Sequence, residues 1–347
     1  GSKNIMMGCN AGKGNTVTGA YNNLFGYSAG QAQLTSGHRN NALGNGALYN
    51  LSIGACNTAI GSLAGRKVDA GSNNVLLGYS AGCKIASGDD NIMIGRQAGQ
   101  NIADVDRNIF IGPLSGANGT TQEYSVAIGY QALYGNGSTA PSGDHNIAIG
   151  CATLKNICTG KHNIAMGPQS MCDITTGCYN IAFGLNAGRS TTTDTYNFFA
   201  GYNAGCDREG GTQNIAIGKQ ALQGSGTADG EENIALGSMA GECVSTGDRN
   251  IYMGYAAGKA QTTAGNSIMI GSLAGCANAT GGHSIIIGPS AAVTGTEICA
   301  NIIIGWEAGN AGSFANAKYN TIMGMQAGCD VTSGCYNTIF GHCAGTN

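Results

Sequence analysis

Short apolar runs with an alternating pattern recur from one end of the chain to the other, each closed by a glycine. Examples are Ile92-Met93-Ile94-Gly95, Ile147-Ala148-Ile149-Gly150, Ile234-Ala235-Leu236-Gly237 and Ile302-Ile303-Ile304-Gly305. Alternation with a period of two predicts β-strands. A run of three or four residues is too short for a useful helix, and a glycine at every end would break one. Twenty copies can be aligned, with anchor glycines from Gly8 to Gly341, and fourteen of the nineteen intervals between them are 17 residues. The exceptions are two intervals of 18 at the start, 21 before Gly150, and 19 before Gly237 and Gly324. So short and regular a period predicts that each copy is one turn of a solenoid. The expected fold is all-β: a parallel β-solenoid, or β-roll, of about twenty coils of 17 residues. The repeat runs through 1–347 and leaves no segment for a separate globular domain.

Positions can be numbered from each anchor glycine as zero. Aliphatic residues fall at −3 and −1, a small residue, nearly always Ala, at +3, and aliphatic residues at +7, as in Leu51, Val68, Ile85, Ile102, Ile157, Ile174, Val244 and Val331. These four positions are expected to point inward. Position −4 is Asn in seventeen copies and Ser in three, Ser125, Ser267 and Ser284. Side-chain amides stacked one coil apart can donate to and accept from one another, so the expected role is a structural ladder that satisfies backbone groups at the turns. Its members include Asn57, Asn74, Asn91, Asn108, Asn146, Asn163, Asn180, Asn197, Asn214, Asn233, Asn250, Asn301, Asn320 and Asn337. Pro113, Pro168 and Pro289 all fall at +1, just past the strand, where a missing N–H costs little.

Composition fits this pattern and excludes other classes. The chain has 60 Gly but only 4 Pro in 347 residues and no Gly-X-Y period, so it is not collagen-like. Hydrophobic residues make up 42% against 10% charged residues, which argues against a solvated coil. A net charge of −3, without clustered Lys and Arg, makes nucleic acid an improbable partner. No apolar run is long enough to span a bilayer as a helix, so no membrane insertion is expected.

The run Ser125-Val126-Ala127-Ile128-Gly129-Tyr130-Gln131-Ala132 resembles the head repeat of YadA-like trimeric autotransporter adhesins, and similar Asn-x-Ala-Ile-Gly repeats occur in phage and viral tail fibres. The resemblance extends over all twenty copies. It implies a left-handed parallel β-roll with three chains packed side by side, extracellular, on the surface of a cell or virion. The adhesin repeat is shorter, near 14 residues, so a longer coil could also close as a self-sufficient solenoid. The terminal copies are expected to be uncapped, and open coil ends invite further strands. The expected partner is therefore another copy of the chain, in a trimer or stacked end to end, with a surface glycan or receptor as a further candidate.

Fourteen cysteines suggest disulfides in an exported repeat protein. Cys172 with Cys178 and Cys329 with Cys335 share the same offset within a coil, and Cys276 with Cys299 falls on adjacent coils, which makes these the candidate pairs. Cys9 and Cys343 lie in the terminal coils, where a bond between stacked chains is conceivable. No Cys-x-x-Cys pair is present, so a zinc site of ordinary spacing is not expected. His145 and His162 fall at −5 on consecutive coils but lack the third and fourth ligands of a metal site, and read as loop residues. Carboxylates are too dispersed to suggest an acid/base pair, so no catalytic residue, cofactor or metal is assigned.

Tyr27, Tyr79, Tyr130, Tyr202, Tyr255 and Trp306 share position +1 and could face a sugar. The three lengthened coils, at Tyr134 to Asp144, Gly224 to Glu232 and Phe314 to Tyr319, would place loops on the surface, and loops are where specific binding usually sits. Asn50, Asn118, Asn136 and Asn278 begin glycosylation sequons. The function expected is that of an extracellular structural fibre or filament subunit with an adhesive or receptor-binding role, not an enzyme. The alternatives are an ice-binding solenoid, for which a regular Thr column is missing, and a polysaccharide-degrading tailspike.

Overall fold

The computed structural model describes all residues except 1–2, 15–17, 33–34, 120–121, 136–141, 225–228, 311–316, 333 and 347. It divides into two compact units, Gly1–Cys178 and Tyr179–Asn347. Each is an all-β parallel solenoid, and no helix occurs among the described residues. The first unit has ten three-residue strands, from Ile5–Met7 to Ile164–Met166; the second has ten, from Ile181–Phe183 to Thr338–Phe340. Within a unit, each strand pairs in parallel with the strand one coil away, residue for residue. Val75, Leu76 and Leu77 stand beside Ile92, Met93 and Ile94 in the first unit, and Ile268, Met269 and Ile270 beside Ile285, Ile286 and Ile287 in the second. The sequence repeat is thus one turn of the solenoid.

Side-chain direction departs from the expectation. The middle residue of the strand, position −2, is the inward one: Leu24, Leu76, Met93, Phe110, Phe199 and Tyr252 are fully buried. Positions −3 and −1, expected inside, point outward and are half-buried or exposed, as in Val75–Leu77 and Ile215–Ile217. The reason is parity. Alternate residues of a strand share a face, and the Asn at −4 is inside, so −2 goes in with it and −3 and −1 go out. The expected inward positions +3 and +7 are buried in both units, as Ala81 and Ile85 or Ala240 and Val244 illustrate.

The core is filled by a size exchange between −2 and +4. Where −2 is large, +4 is Gly, with Ala292 opposite Ile286 as the exception. A Cβ on Gly116 would lie 2.4 Å from the Phe110 ring, and one on Gly258 2.3 Å from the Tyr252 ring. Where −2 is only Ala, +4 is often large, as in Ala42 with Leu48, Ala127 with Leu133, Ala148 with Leu154, Ala165 with Met171 and Ala216 with Leu222. These residues hold the left-handed backbone that Gly would otherwise occupy, with φ of 49° at Leu48 and 46° at Leu222. Left-handed geometry costs a side chain roughly 1–2 kcal/mol. An unfilled hole of leucine size costs more, roughly 2–5 kcal/mol, so filling wins.

Inside each coil the Asn at −4 ties the end of the turn to its beginning. Asn74 Nδ2 donates to the Gly88 carbonyl (2.8 Å), while Asn74 Oδ1 accepts from the Asn91 backbone N–H (3.0 Å) and from Asn91 Nδ2 (3.1 Å). The second unit repeats this at Asn233, whose Nδ2 donates to the Gly247 carbonyl (2.9 Å) and whose Oδ1 accepts from the Asn250 N–H (3.0 Å). These amides are buried, so each would otherwise carry a desolvation cost. The anchor glycine has a different cause: Gly78 has φ +132°, and a Cβ there would lie 2.6 Å from the Gly95 carbonyl oxygen of the next coil.

Candidate interaction surface

The outward positions −3 and −1 form a flat face on the strands of each unit. Of forty outward strand positions, five are polar, namely Asn23, Asn41, Thr58, Thr321 and Thr338, and none is charged. The remainder are Ile, Val, Leu, Met, Phe and one Ala. Many stand well into solvent, including Leu43 (52% exposed), Ile60, Met166 and Ile217. Isolated apolar residues at a surface are ordinary, but two continuous columns of them mark a surface that binds something. The geometry also gives the face a fixed corrugation, because neighbouring parallel strands lie about 4.8 Å apart.

The polar interruption in the first unit runs over Asn23, Asn41 and Thr58 on three consecutive coils, and its two amides are ordered. Asn23 Nδ2 donates to Asn41 Oδ1 (2.8 Å) across adjacent coils. The amide protons of Asn41 and the side-chain oxygen of Asn23 have no partner among the described residues.

A second surface column lies at −5, where residues such as Tyr124, His145 and Arg249 hold left-handed backbone and point outward. Tyr124 stacks on His145 and His145 on His162, each with ring centroids 5.0 Å apart, and Arg107 lies over the Tyr124 ring. In the second unit Tyr179 stacks on Tyr196 and Tyr319 on Tyr336. Stacking presents ring edges to solvent and covers ring faces. The two histidine rings are near-parallel at 25°, so their nitrogens run side by side and do not converge on one ion. Among the described residues, no group of three or more His, Cys, Asp or Glu could hold a metal.

The tyrosines at +1 are exposed: Tyr27, Tyr79 and Tyr130 fall three coils apart in the first unit, as do Tyr202, Tyr255 and Trp306 in the second. The carboxylates near the turns are occupied by backbone donors. Asp89 Oδ1 accepts from the Ser72 N–H (2.7 Å), Asp106 Oδ1 from Asp89 (2.8 Å) and Asp248 Oδ1 from Glu231 (2.8 Å). They close turns between coils.

All fourteen cysteines are thiols. Cys172 and Cys178 are not joined, nor are Cys329 and Cys335 or Cys276 and Cys299. Each pair within a coil is separated by the corner residue, Ile174 or Val331, and the thiols turn to neighbouring backbone. Cys178 Sγ accepts from the Lys161 N–H (3.4 Å), Cys329 Sγ donates to the Glu307 carbonyl (3.2 Å), and Cys276 Sγ approaches the Val293 carbonyl (3.8 Å). Burial raises the pKa of Cys83, Cys243, Cys276 and Cys329, and pushes Cys206 up to about 12 with Asp207 adding to the effect. Raised thiols are weak nucleophiles.

The second unit also holds a buried polar cluster that the repeat pattern did not signal. Arg208 occupies the inward +7 corner and is fully buried. Its guanidinium donates to the Gly230 carbonyl (2.6 Å) and the Val244 carbonyl (3.2 Å). Asp194, at +10 of the preceding coil, accepts from the Gly210 N–H (2.7 Å). Burial raises its pKa to about 6, against the opposing pull of that N–H and of Arg208. Further along, Tyr252 Oη donates to Gln261 Oε1 (2.7 Å), and Gln261 Nε2 and Asn278 Nδ2 both donate to the Gly281 carbonyl (2.9 and 2.8 Å). In that coil the −4 residue is Ser267, and the corner side chains Gln261 and Asn278 supply the donors to this carbonyl. The available signal was the break in aliphatic character at +7. Asn278, a sequon residue, is buried and bonded, so its amide is closed to modification in the folded chain. Sequon residue Asn136 and half of the residues of the three lengthened loops lie outside the described residues.

No helix is long and apolar enough to cross a membrane among the described residues. Comparison with protein-family models and with curated proteins finds no match for this chain.

Proposed function

We propose that the chain is a structural fibre subunit that assembles laterally, each solenoid packing its strand face against that of another copy. The observation that carries this reading is the uncharged outward face at −3 and −1. Each unit offers twenty outward strand residues, close to the 20–30 residues that each partner contributes to a stable interface. The occupant follows from the corrugation. A surface with an approximately 4.8 Å period keeps contact along its length only with another surface of the same period, and a second copy of this solenoid has it. The absence of charge removes any need for a complementary charged partner. Resemblance of the repeat to adhesin heads and tail fibres supports three chains per fibre and a place outside the cell or on a virion. Thr occupies only three of the forty outward positions, which favours self-association over ice binding.

Sedimentation velocity across a concentration series tests the proposal. The wild-type chain should sediment as a defined oligomer, and Ile94→Lys with Ile149→Lys should return it to monomer while circular dichroism is unchanged. A monomeric wild type at all concentrations would overturn it.

A second reading, adhesion to a surface glycan, is favoured by the exposed aromatics set three coils apart. Retention on immobilised polysaccharides that is lost in Tyr79→Ala with Tyr130→Ala would support it, and equal retention of the variant would remove it.

A further inference from the structure

The apolar face is interrupted in the first unit at Asn23 and Asn41, and we propose that this amide pair sets the alignment in which copies of the chain pack. The inference rests on the lateral assembly proposed above and names the residues that give it a register. A face of repeated Ile and Val columns is nearly indifferent to sliding by whole coils, because each step places the same aliphatic side chains opposite one another. Such a face supplies affinity without alignment. One polar pair in an otherwise apolar interface removes that indifference, because an amide set opposite a hydrocarbon loses its hydrogen bonds to water and gains none.

The geometry fits this role. Asn23 and Asn41 are already bonded to each other (2.8 Å), which fixes their rotamers. That bond leaves the Asn41 amide protons and the Asn23 oxygen open, a donor and an acceptor on one exposed pair. The pair is therefore complementary to itself. In register, both amides of one copy face both amides of its neighbour. A slip of one coil keeps one amide opposite an amide and sets the other against Thr58 or Ile5. A slip of three coils or more sets Asn41 against Ile92 or a later aliphatic residue. The outward strand residues from Val75 to Met166 contain no further polar group, so beyond Asn23, Asn41 and the adjoining Thr58 no polar side chain on this face marks one coil from the next.

The test replaces Ile94, an outward residue of the face, with photoreactive benzoylphenylalanine, mixes unlabelled and ¹⁵N-labelled chains, and locates intermolecular cross-links by mass spectrometry. With Asn23 and Asn41 present, the links should fall on the facing coil and its immediate neighbours, within 75–111. In Asn23→Ile with Asn41→Ile, the oligomer should persist at equal or lower concentration, while links spread over coils on both sides of that window. Unchanged melting and circular dichroism establish that the double variant is folded. Two results overturn the proposal alone: links already spread in the parent, or links still confined in the double variant. A chain that sediments as monomer and gives no intermolecular links overturns the lateral assembly as well, so the two failures are distinguishable.

Discussion

The two units solve the same corner differently. In the first, the described +7 positions are Leu51, Val68, Ile85, Ile102, Gly119, Ile157 and Ile174; in the second they are Thr191, Arg208, Val244, Gln261, Asn278, Gly295 and Val331, and all but the half-buried Val331 are buried. Yet both units have the same strands, the same residue-for-residue pairing and the same amide ladder. What the corner requires is therefore volume, and an apolar side chain is only one way to supply it. Where the first unit uses Asn alone to hold the carbonyl at +10, the second brings extra donors from the corner: Arg208 at Gly230, and Gln261 and Asn278 at Gly281.

Exchange of the two corners should give the largest effect. Ile85→Arg places a cation where the next coil already holds Ile102 and is expected to cost about 4 kcal/mol. At pH 4, where Asp194 is protonated and does not need the guanidinium, Arg208→Leu should change stability by about 1 kcal/mol, because Gly230 keeps its bond from Asn214 (2.9 Å) and only the Val244 carbonyl is left without its side-chain donor. Urea unfolding followed by circular dichroism compares them, and equal costs would remove the distinction between the corners.

The next effect is a pH dependence confined to the second unit. Burial raises the Asp194 pKa to about 6, with Arg208 and the Gly210 N–H opposing and Glu209 adding to it. A carboxyl raised by folding contributes stability below its ordinary pKa near 4 and loses that contribution as pH rises through about 6. The loss between pH 4 and pH 7 should amount to no more than about 3 kcal/mol. Asp194→Asn should flatten that part of the profile, and an unchanged slope in the variant would exclude Asp194 as its source.

Asn278→Ala tests the replacement donors. Gly281 retains Gln261, but the Ile298 N–H loses its acceptor, Asn278 Oδ1 (3.0 Å), at a cost of about 2 kcal/mol. Amide exchange should show the Ile298 proton losing protection before its neighbours. The smallest effect separates buried from exposed columns. Tyr124→Ala in the first unit and Tyr196→Ala in the second remove exposed stacks and should each cost about 0.5 kcal/mol, the same in both units.

Much of this was legible in the repeat. Glycine at the anchor, Asn at −4 and Ala at +3 are each tied to a backbone requirement that recurs every coil, so periodicity alone located them. The phase of the strand was not legible from its apolar residues. Ile at −3 and −1 around Ala at −2 reads as an inward pair, and the opposite is true because Asn at −4 fixes the parity. The size exchange between −2 and +4 was visible as anticorrelated residues, but its meaning required knowing that both point into one space. Spacing placed Cys172 near Cys178 in sequence, while in the fold the Cys178 sulfur accepts from the Lys161 N–H of the preceding coil and no bond joins the pair.

Sequence by itself determined the coil: a strict period fixes where strands, bends and amides fall, because each must meet its own image one turn away. Only the tertiary structure decided which face of the strand is the surface, and that Arg208 and Asp194 lie inside. Those outcomes depend on what stands opposite a residue across the coil, and a one-dimensional period carries no information about opposition.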